Sequence, residues 1–308
     1  MRTLFKYIGG KTWLRPHLRV GVSNMLDRFH IDTYVEPFAG GLGAFFGIYD
    51  LLIRKKIENV VLNDINSKLI DFYIIVKEQP EQLINQYAQL EVQFDNLIPK
   101  EIHGMHIVHD KQLIKSLLVQ AENLYKLERD KFNSSHAQIG RASGLLFLQN
   151  HCFNGIYREN SNGDYNTPFN WNWKKIELAN VADKILAASK MFKEFNIVFL
   201  NKGFQDLEYK KNSLHYLDPP YINESGKQEN RYHKKIFGLE AQKELINTIK
   251  NTNFLYSNHD SEIIIQEFLS KNISITWEKI ARKNTVSACT TSRKSDKIEL
   301  LITSLKGN

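Results

Sequence analysis

Apolar positions recur along this chain with two alternating periods, and the alternation predicts an α/β fold. Trp13, Leu14, Leu18, Val22, Met25 and Leu26 follow helical spacing to near Phe29. Thr33-Tyr34-Val35-Glu36 then reads as a strand, the glycine-bearing stretch 37–43 as a turn, and Ala44-Phe45-Phe46 as the start of a helix. Val60-Val61-Leu62-Asn63 predicts the next strand and residues 67–73 the next helix. Over 79–142 the helical period stands alone (Leu83, Tyr87, Leu90 and Phe94, then Leu113, Leu117, Ala121 and Leu124), with a break at 97–104. That region reads as a helical insertion. A helix at 143–148 leads into the amide- and glycine-rich stretch 150–169, which predicts a small β-hairpin turning at Asn154-Gly155 and Asn162-Gly163. A helical run at 185–192 and strands at 197–200 and 214–217 restore the αβ rhythm. Helices at 239–250 and 262–269 and strands at 254–257, 273–278 and 297–303 complete it.

Composition narrows the class without naming it. The 308 residues suffice for one large or two modest domains, and 42% hydrophobic with 24% charged residues is the balance of a soluble globular protein. No apolar run is long enough to span a bilayer, and the start Met1-Arg2-Thr3-Leu4-Phe5-Lys6 lacks the pattern of a signal peptide. Cys152 and Cys289 form no metal-binding spacing, so no metal site is expected, and a reducing cytoplasm fits best. The histidines at 103, 106 and 109 have no acidic or cysteine partner at ligand spacing and read as a loop. Lys and Arg exceed Asp and Glu by 41 to 34, giving +7, which is compatible with a polyanion partner but does not require one.

Candidate chemistry gathers at strand ends. Strand, glycine turn and helix at 33–49 form the first half of a mononucleotide-binding unit, but the glycines fit neither the dinucleotide nor the Walker spacing. Asp64 ends the next strand about 20 residues on, where an acid can accept from both ribose hydroxyls. Its alternative is a cap for the following helix. Gly9-Gly10-Lys11 would let backbone approach a ligand beside a cation, or form an irregular start. Asp218-Pro219-Pro220-Tyr221 follows an apolar strand, and its prolines cannot continue the ladder. A carboxylate, a carbonyl and a flat ring there would suit a planar amine such as a nucleobase NH2, and an ordinary strand-to-loop turn is the alternative. The hairpin exposes amides, aromatics and Arg158, side chains able to meet base edges or simply to pack on their own helices.

The order of these motifs resembles the Dam-type (class alpha) DNA adenine-N6 methyltransferases. It runs through 5–11, Glu36-Pro37-Phe38-Ala39-Gly40-Gly41, Asn63-Asp64-Ile65-Asn66, Asn154-Gly155-Ile156-Tyr157-Arg158, Asp218-Pro219-Pro220-Tyr221 and Ser257-Asn258-His259-Asp260. The resemblance runs nearly end to end and is weakest over 79–127. It implies a Rossmann-like sheet dependent on S-adenosylmethionine, with residues 1–78 and 190–308 as the catalytic domain. A target-recognition domain at 79–189 would be inserted between the halves. Tyr7, Lys11, Phe38, Gly40, Asp64, Phe204, Asp206 and Asp218 would bind the cofactor, with Tyr7 where the family often has tryptophan. Asp218, Pro219 and Tyr221 would hold a flipped adenine. Lys6, Asn154, Ile156, Arg158, Pro168, Arg293 and Lys294 would contact double-stranded DNA.

GATC is the sequence Dam-like relatives commonly read, although Asn170 stands where they usually have glycine. A monomer is expected, with a cognate restriction endonuclease as a partner in one biological setting. Three other readings stay open on sequence grounds. They are cytosine-N4 methylation, whose enzymes more often carry serine at the Asp218 position, a catalytically silent DNA-binding protein, and a protein or RNA methyltransferase.

Overall fold

The computed structural model describes residues 3–7, 13–100, 102, 111–135, 137–222, 237–282 and 297–305. The expected Lys11, Arg293 and Lys294, and the histidines at 103, 106 and 109, lie outside those residues. Helix α1 (Arg15–Arg28) precedes strand β1 (Thr33–Glu36), helix α2 (Gly43–Arg54), strand β2 (Asn59–Asn63) and helix α3 (Ser67–Glu78). Four helices follow: α4 (Pro80–Asp95), α5 (Lys111–Leu117), α6 (Val119–Ser134) and α7 (Gln138–His151). Helix α8 (Leu178–Lys193) returns the chain to strands β3 (Asn196–Leu200) and β4 (Ser213–Leu217). Then come α9 (Leu239–Ile249), β5 (Asn253–His259), α10 (Glu262–Ser270), β6 (Ile275–Arg282) and β7 (Lys297–Ser304).

Among the described residues these strands form one seven-stranded sheet in the order β3-β2-β1-β4-β5-β7-β6. β1 pairs in parallel with both β2 and β4, β4 in parallel with β5, and β7 runs antiparallel between β5 and β6. This is the Rossmann-like methyltransferase arrangement that the αβ rhythm and the resemblance led us to expect. All five residues of β4 are buried, Ser213 and His215 included, whereas edge strand β3 leaves Asn196 and Val198 exposed. Sequence order reverses between β1 and β4, and a crevice outside their carboxyl ends is where open α/β sheets hold ligands.

One continuous core joins the sheet to helices α4, α6, α7 and α8. α7 packs on α3, α4 and α6, while α8 packs on α3 and α4. Inside it His151 Nε2 lies 2.8 Å from Glu91 Oε1, and its ring sits 4.1 Å from Phe94 and 4.7 Å from Phe147. This buried pair fixes the end of α7, where the 152–169 loop begins. No helix among the described residues is long and apolar enough to cross a membrane.

Two local expectations change. β6 starts at Ile275 rather than 273, because Asn272 adopts a left-handed turn (φ 56°) and Ile273 N–H still caps α10 through the Phe268 carbonyl. The 150–169 hairpin keeps its turns but not its ladder: isolated bridges join Cys152 to Phe169 and Glu159 to Tyr165. Side chains replace the missing strand bonds. Asn133 of α6 bonds both the N–H and the carbonyl of Tyr165 (2.8 and 3.0 Å), and Thr167 Oγ1 donates to the Ile156 carbonyl (2.6 Å).

Candidate active site

The glycine turn after β1 is shaped by close approach. Gly40 has φ +47°, and a Cβ on Gly41 would stand 2.7 Å from the Cβ of Tyr7, so a side chain there would displace the Tyr7 ring. Tyr73 Oη donates to the Gly40 carbonyl (2.6 Å) from below. Asp64, at the end of β2, accepts from the backbone N–H of Gly40 and of Asn66, both at 2.8 Å. It therefore ties the glycine turn to the start of α3, while the Asn66 side chain caps that helix through Lys68 N–H (3.0 Å). The cap that sequence reasoning offered as the alternative to ligand binding is thus made by Asn66.

Asn63 holds three loops in register. Its buried amide donates to the carbonyls of Pro37 and Lys202 (2.9 and 3.0 Å) and accepts from Lys202 N–H (2.9 Å). The loop after β3 is thereby brought beside the glycine turn, and Phe38 and Phe204 meet with ring centroids 5.8 Å apart. Phe237, which sequence reasoning missed, closes the trio at 5.5 Å from Phe38 and 5.6 Å from Phe204. Asp206 is exposed, its carboxylate folded over Gly203. A carboxylate, a glycine cradle and an aromatic cluster fit a nucleoside whose hydroxyls, backbone-facing edge and base need those three surfaces.

Asp218 follows β4, the hydrogen-bonded neighbour of β1. Ser257 Oγ of β5 donates to its Oδ1 (3.0 Å) and lies 3.0 Å from Tyr216 Oη, so the carboxylate is oriented by a neighbouring strand. Gln242 Nε2 donates to the Pro220 carbonyl (3.0 Å), and Gln242 is itself bonded to Tyr256 Oη. Tyr221 Oη donates to Glu299 Oε2 (3.0 Å) while the His259 ring stands edge-on at 4.4 Å. Burial, with the charges of Asp218 and Glu299, holds the Tyr221 phenol well above its ordinary range, so it remains a donor. The two-proline segment is therefore braced at its carboxylate, its carbonyl and its ring. A lone acid inside the apolar run of β7 was the available signal for Glu299, and its partner lies 78 positions away.

Glu36, at the end of β1, is buried; burial pushes its carboxyl up to about 8, with the Asp218 charge adding to the rise and the Tyr34 hydroxyl (2.9 Å) opposing it. At neutral pH it adds little repulsion beside Asp218. Unfolded, this carboxyl ionises near 4.5, so between pH 4.5 and 8 the folded state holds the extra proton and stability falls as pH rises. We expect wild type to lose a few kcal/mol (order of magnitude) relative to Glu36→Gln across that window. Urea unfolding at pH 5, 6.5 and 8 checks this, and a constant difference would refute it.

The 152–169 loop presents a second surface. Asn154 and Gly155 have φ 58° and 65°, as a two-residue primed turn demands. The Lys6 side chain lies across Gly155, and Pro168 accepts from Phe153 N–H (2.9 Å), so Lys6, Asn154 and Pro168 are gathered at one turn. Arg158 is exposed, with Nε and Nη2 donating to Asn166 Oδ1 and carbonyl (2.7 and 3.1 Å); Ile156 is half-buried. Tyr157 and Tyr165 point inward with rings 5.4 Å apart, and Tyr157 also lies 6.0 Å from Tyr7. Phe153, not singled out from sequence, is 45% exposed beside Asn154. Burial pushes the Cys152 thiol up, which leaves it a poor nucleophile.

A Rossmann-like sheet with an acid after β4, at the point where strand order reverses, and an amide-rich loop at 152–169 is the frame of a methyltransferase fold. The profile of the D12 class N6 adenine-specific DNA methyltransferases matches residues 7–286, and the chain belongs to that family. It is 28% identical to the type II methyltransferase M.MjaIII of Methanocaldococcus jannaschii over 72% of this chain and 69% of that one. It is 28% identical to a DNA adenine methylase of Serratia marcescens over 85% of each chain. The DNA adenine methylase of Escherichia coli strain K12 is 27% identical over 84% of this chain and 81% of its own. Family and relatives alike make this chain an adenine-specific DNA methyltransferase.

Proposed function

We propose that the chain transfers a methyl group from S-adenosylmethionine to N6 of an adenine flipped out of duplex DNA. The observation carrying this reading is the juxtaposition of two sites on adjacent strands. Gly40 and Asp64 follow β1 and β2, and Asp218 follows β4, about 4.8 Å across the sheet from β1. Asp64 would take the ribose hydroxyls, Phe38 and Phe204 the adenine with Asp206 nearby, and Tyr7 and Lys11 the methionine end. When bound, the cofactor supplies an electrophilic methyl on a sulfonium.

The chain's own residues then deal with a weak nucleophile. The lone pair of an adenine amine is delocalised into its ring. Asp218 and the Pro219 carbonyl accept from the two N6–H bonds, which favours a tetrahedral nitrogen and stabilises the positive charge that grows on it. As the methyl joins N6, one of those protons leaves along its hydrogen bond, toward the Asp218 carboxylate and then solvent. Ser257 keeps the Asp218 carboxylate in one orientation, so little reorganisation is needed at the moment of attack. Tyr221, held by Glu299, offers its face to the flipped base. A target within a duplex is out of reach until extruded. Phe153, an exposed ring on a tight turn, suits insertion into the stack the target leaves.

Residues 79–189 would act as the recognition region, with Lys6, Asn154, Ile156, Arg158 and Pro168 facing DNA and Arg293 and Lys294 meeting phosphate. The target carried from the resemblance is GATC. The enzyme would act as a monomer in the cytoplasm, and a type II methyltransferase among its relatives supports pairing with a restriction endonuclease. Long-read sequencing of DNA from an expressing host tests both halves: N6-methyladenine at GATC is expected, and methylation at another sequence would refute the target alone.

A further inference from the structure

Lys68 breaks a local rule. It lies in the first turn of α3, where the helix dipole disfavours a cation, and that turn holds no acid. Its Nζ instead reaches the 152–169 loop and donates to the Gly163 carbonyl (2.9 Å), 5.1 Å from the Phe132 ring. Gly163 closes the turn that Asn160 organises at the far end of that loop. Toward the sheet the connection is equally short: Lys68 N–H bonds the Asn66 side chain, and Asn66 N–H bonds Asp64 Oδ1.

Tyr157 makes a second bridge. Its buried ring stands beside Tyr7, which lines the glycine turn, and its hydroxyl donates to Glu159 (2.9 Å). It lies between Ile156 and Arg158, so its placement sets the direction of both. Close-packed contacts of this kind pass small displacements on rather than absorbing them.

We propose that Lys68 and Tyr157 are positioning residues that couple occupancy of the cofactor site to sequence discrimination by the 152–169 loop. The proposal rests on the reading that Asp64 binds the cofactor and Arg158 reads DNA. Coupling is reciprocal: if cofactor tightens the grip on target DNA, target DNA tightens the grip on cofactor by the same factor.

The test is calorimetric binding of S-adenosylhomocysteine to the full chain, alone, with a duplex carrying the methylated sequence, and with a duplex differing from it by one base pair, where the enhancement should be smaller. Wild type should bind about 5-fold or more tightly with the duplex present. Lys68→Met, which keeps the stem but loses the donor, and Tyr157→Leu, which loses the ring that meets Tyr7, should bring that factor toward one. Their affinity without DNA should stay within about 2-fold of wild type, and Lys68→Arg should restore the factor. A wild-type factor of one, or a factor unchanged in Lys68→Met, overturns the coupling. Asp64→Asn with wild-type affinity, or Arg158→Ala with wild-type discrimination, would overturn the site reading itself and the coupling with it.

Discussion

Asp218→Ala is expected to bind S-adenosylmethionine nearly as wild type does and to transfer methyl about 10³-fold more slowly, or worse. The two effects separate because Asp218 is one of eight residues assigned to the cofactor and the others are built elsewhere. Asp64 is held by backbone N–H groups of Gly40 and Asn66, Tyr7 by the glycine turn, and Phe38 by Phe204 and Phe237. Removing the Asp218 carboxylate leaves those contacts intact and deprives the amine of its charged acceptor while positive charge grows on nitrogen. Loss of one preorganised partner of that kind costs two to three orders of magnitude in comparable sites, and a charged one stands at the upper end. Single-turnover transfer with labelled cofactor, alongside equilibrium binding, reads both quantities. Near-wild-type transfer would refute the mechanism.

Arg158→Ala should change which sequences are methylated more than how well the cofactor binds. The guanidinium is pre-aimed, because Asn166 takes Nε and Nη2 and so fixes its plane. A guanidinium paired to guanine O6 and N7 accounts for about 1–3 kcal/mol of discrimination, so methylation ratios between target and single-substitution duplexes should fall about 5- to 150-fold. Arg158→Lys should recover little of this, since an ammonium lacks the planar fork. Unchanged ratios across variant duplexes would count against the assignment.

How far the fold could be read from sequence depended on the range of the contacts that make it. The strand, glycine turn and helix around Gly40 are specified within some twenty neighbouring residues, as is the acid at the end of β2. The burial of Leu214, Tyr216 and Leu217 in β4 and of Phe254, Leu255 and Tyr256 in β5 follows from their apolar character, and the Rossmann-like sheet was implied by the resemblance. The bracing of the site was not legible, because each brace joins distant segments. Ser257 reaches Asp218 across 39 positions, Glu299 meets Tyr221 across 78, and Asn63 meets Lys202 across 139. The loop at 152–169 shows the converse. Its turn residues were legible, but Asn133 of α6 takes the bonds a partner strand would have made, so the hairpin ladder is replaced by side chains. The protonation of Glu36 likewise arises only once β1 is buried beside Asp218.

The most direct measurement is digestion to nucleosides and mass spectrometry of duplex DNA treated with the purified chain and methyl-labelled S-adenosylmethionine. The geometry at Asp218 to Tyr221 predicts label in N6-methyladenine, lost when Asp218 is replaced. Label in N4-methylcytosine, or no transfer from a chain that binds both cofactor and DNA, would contradict it.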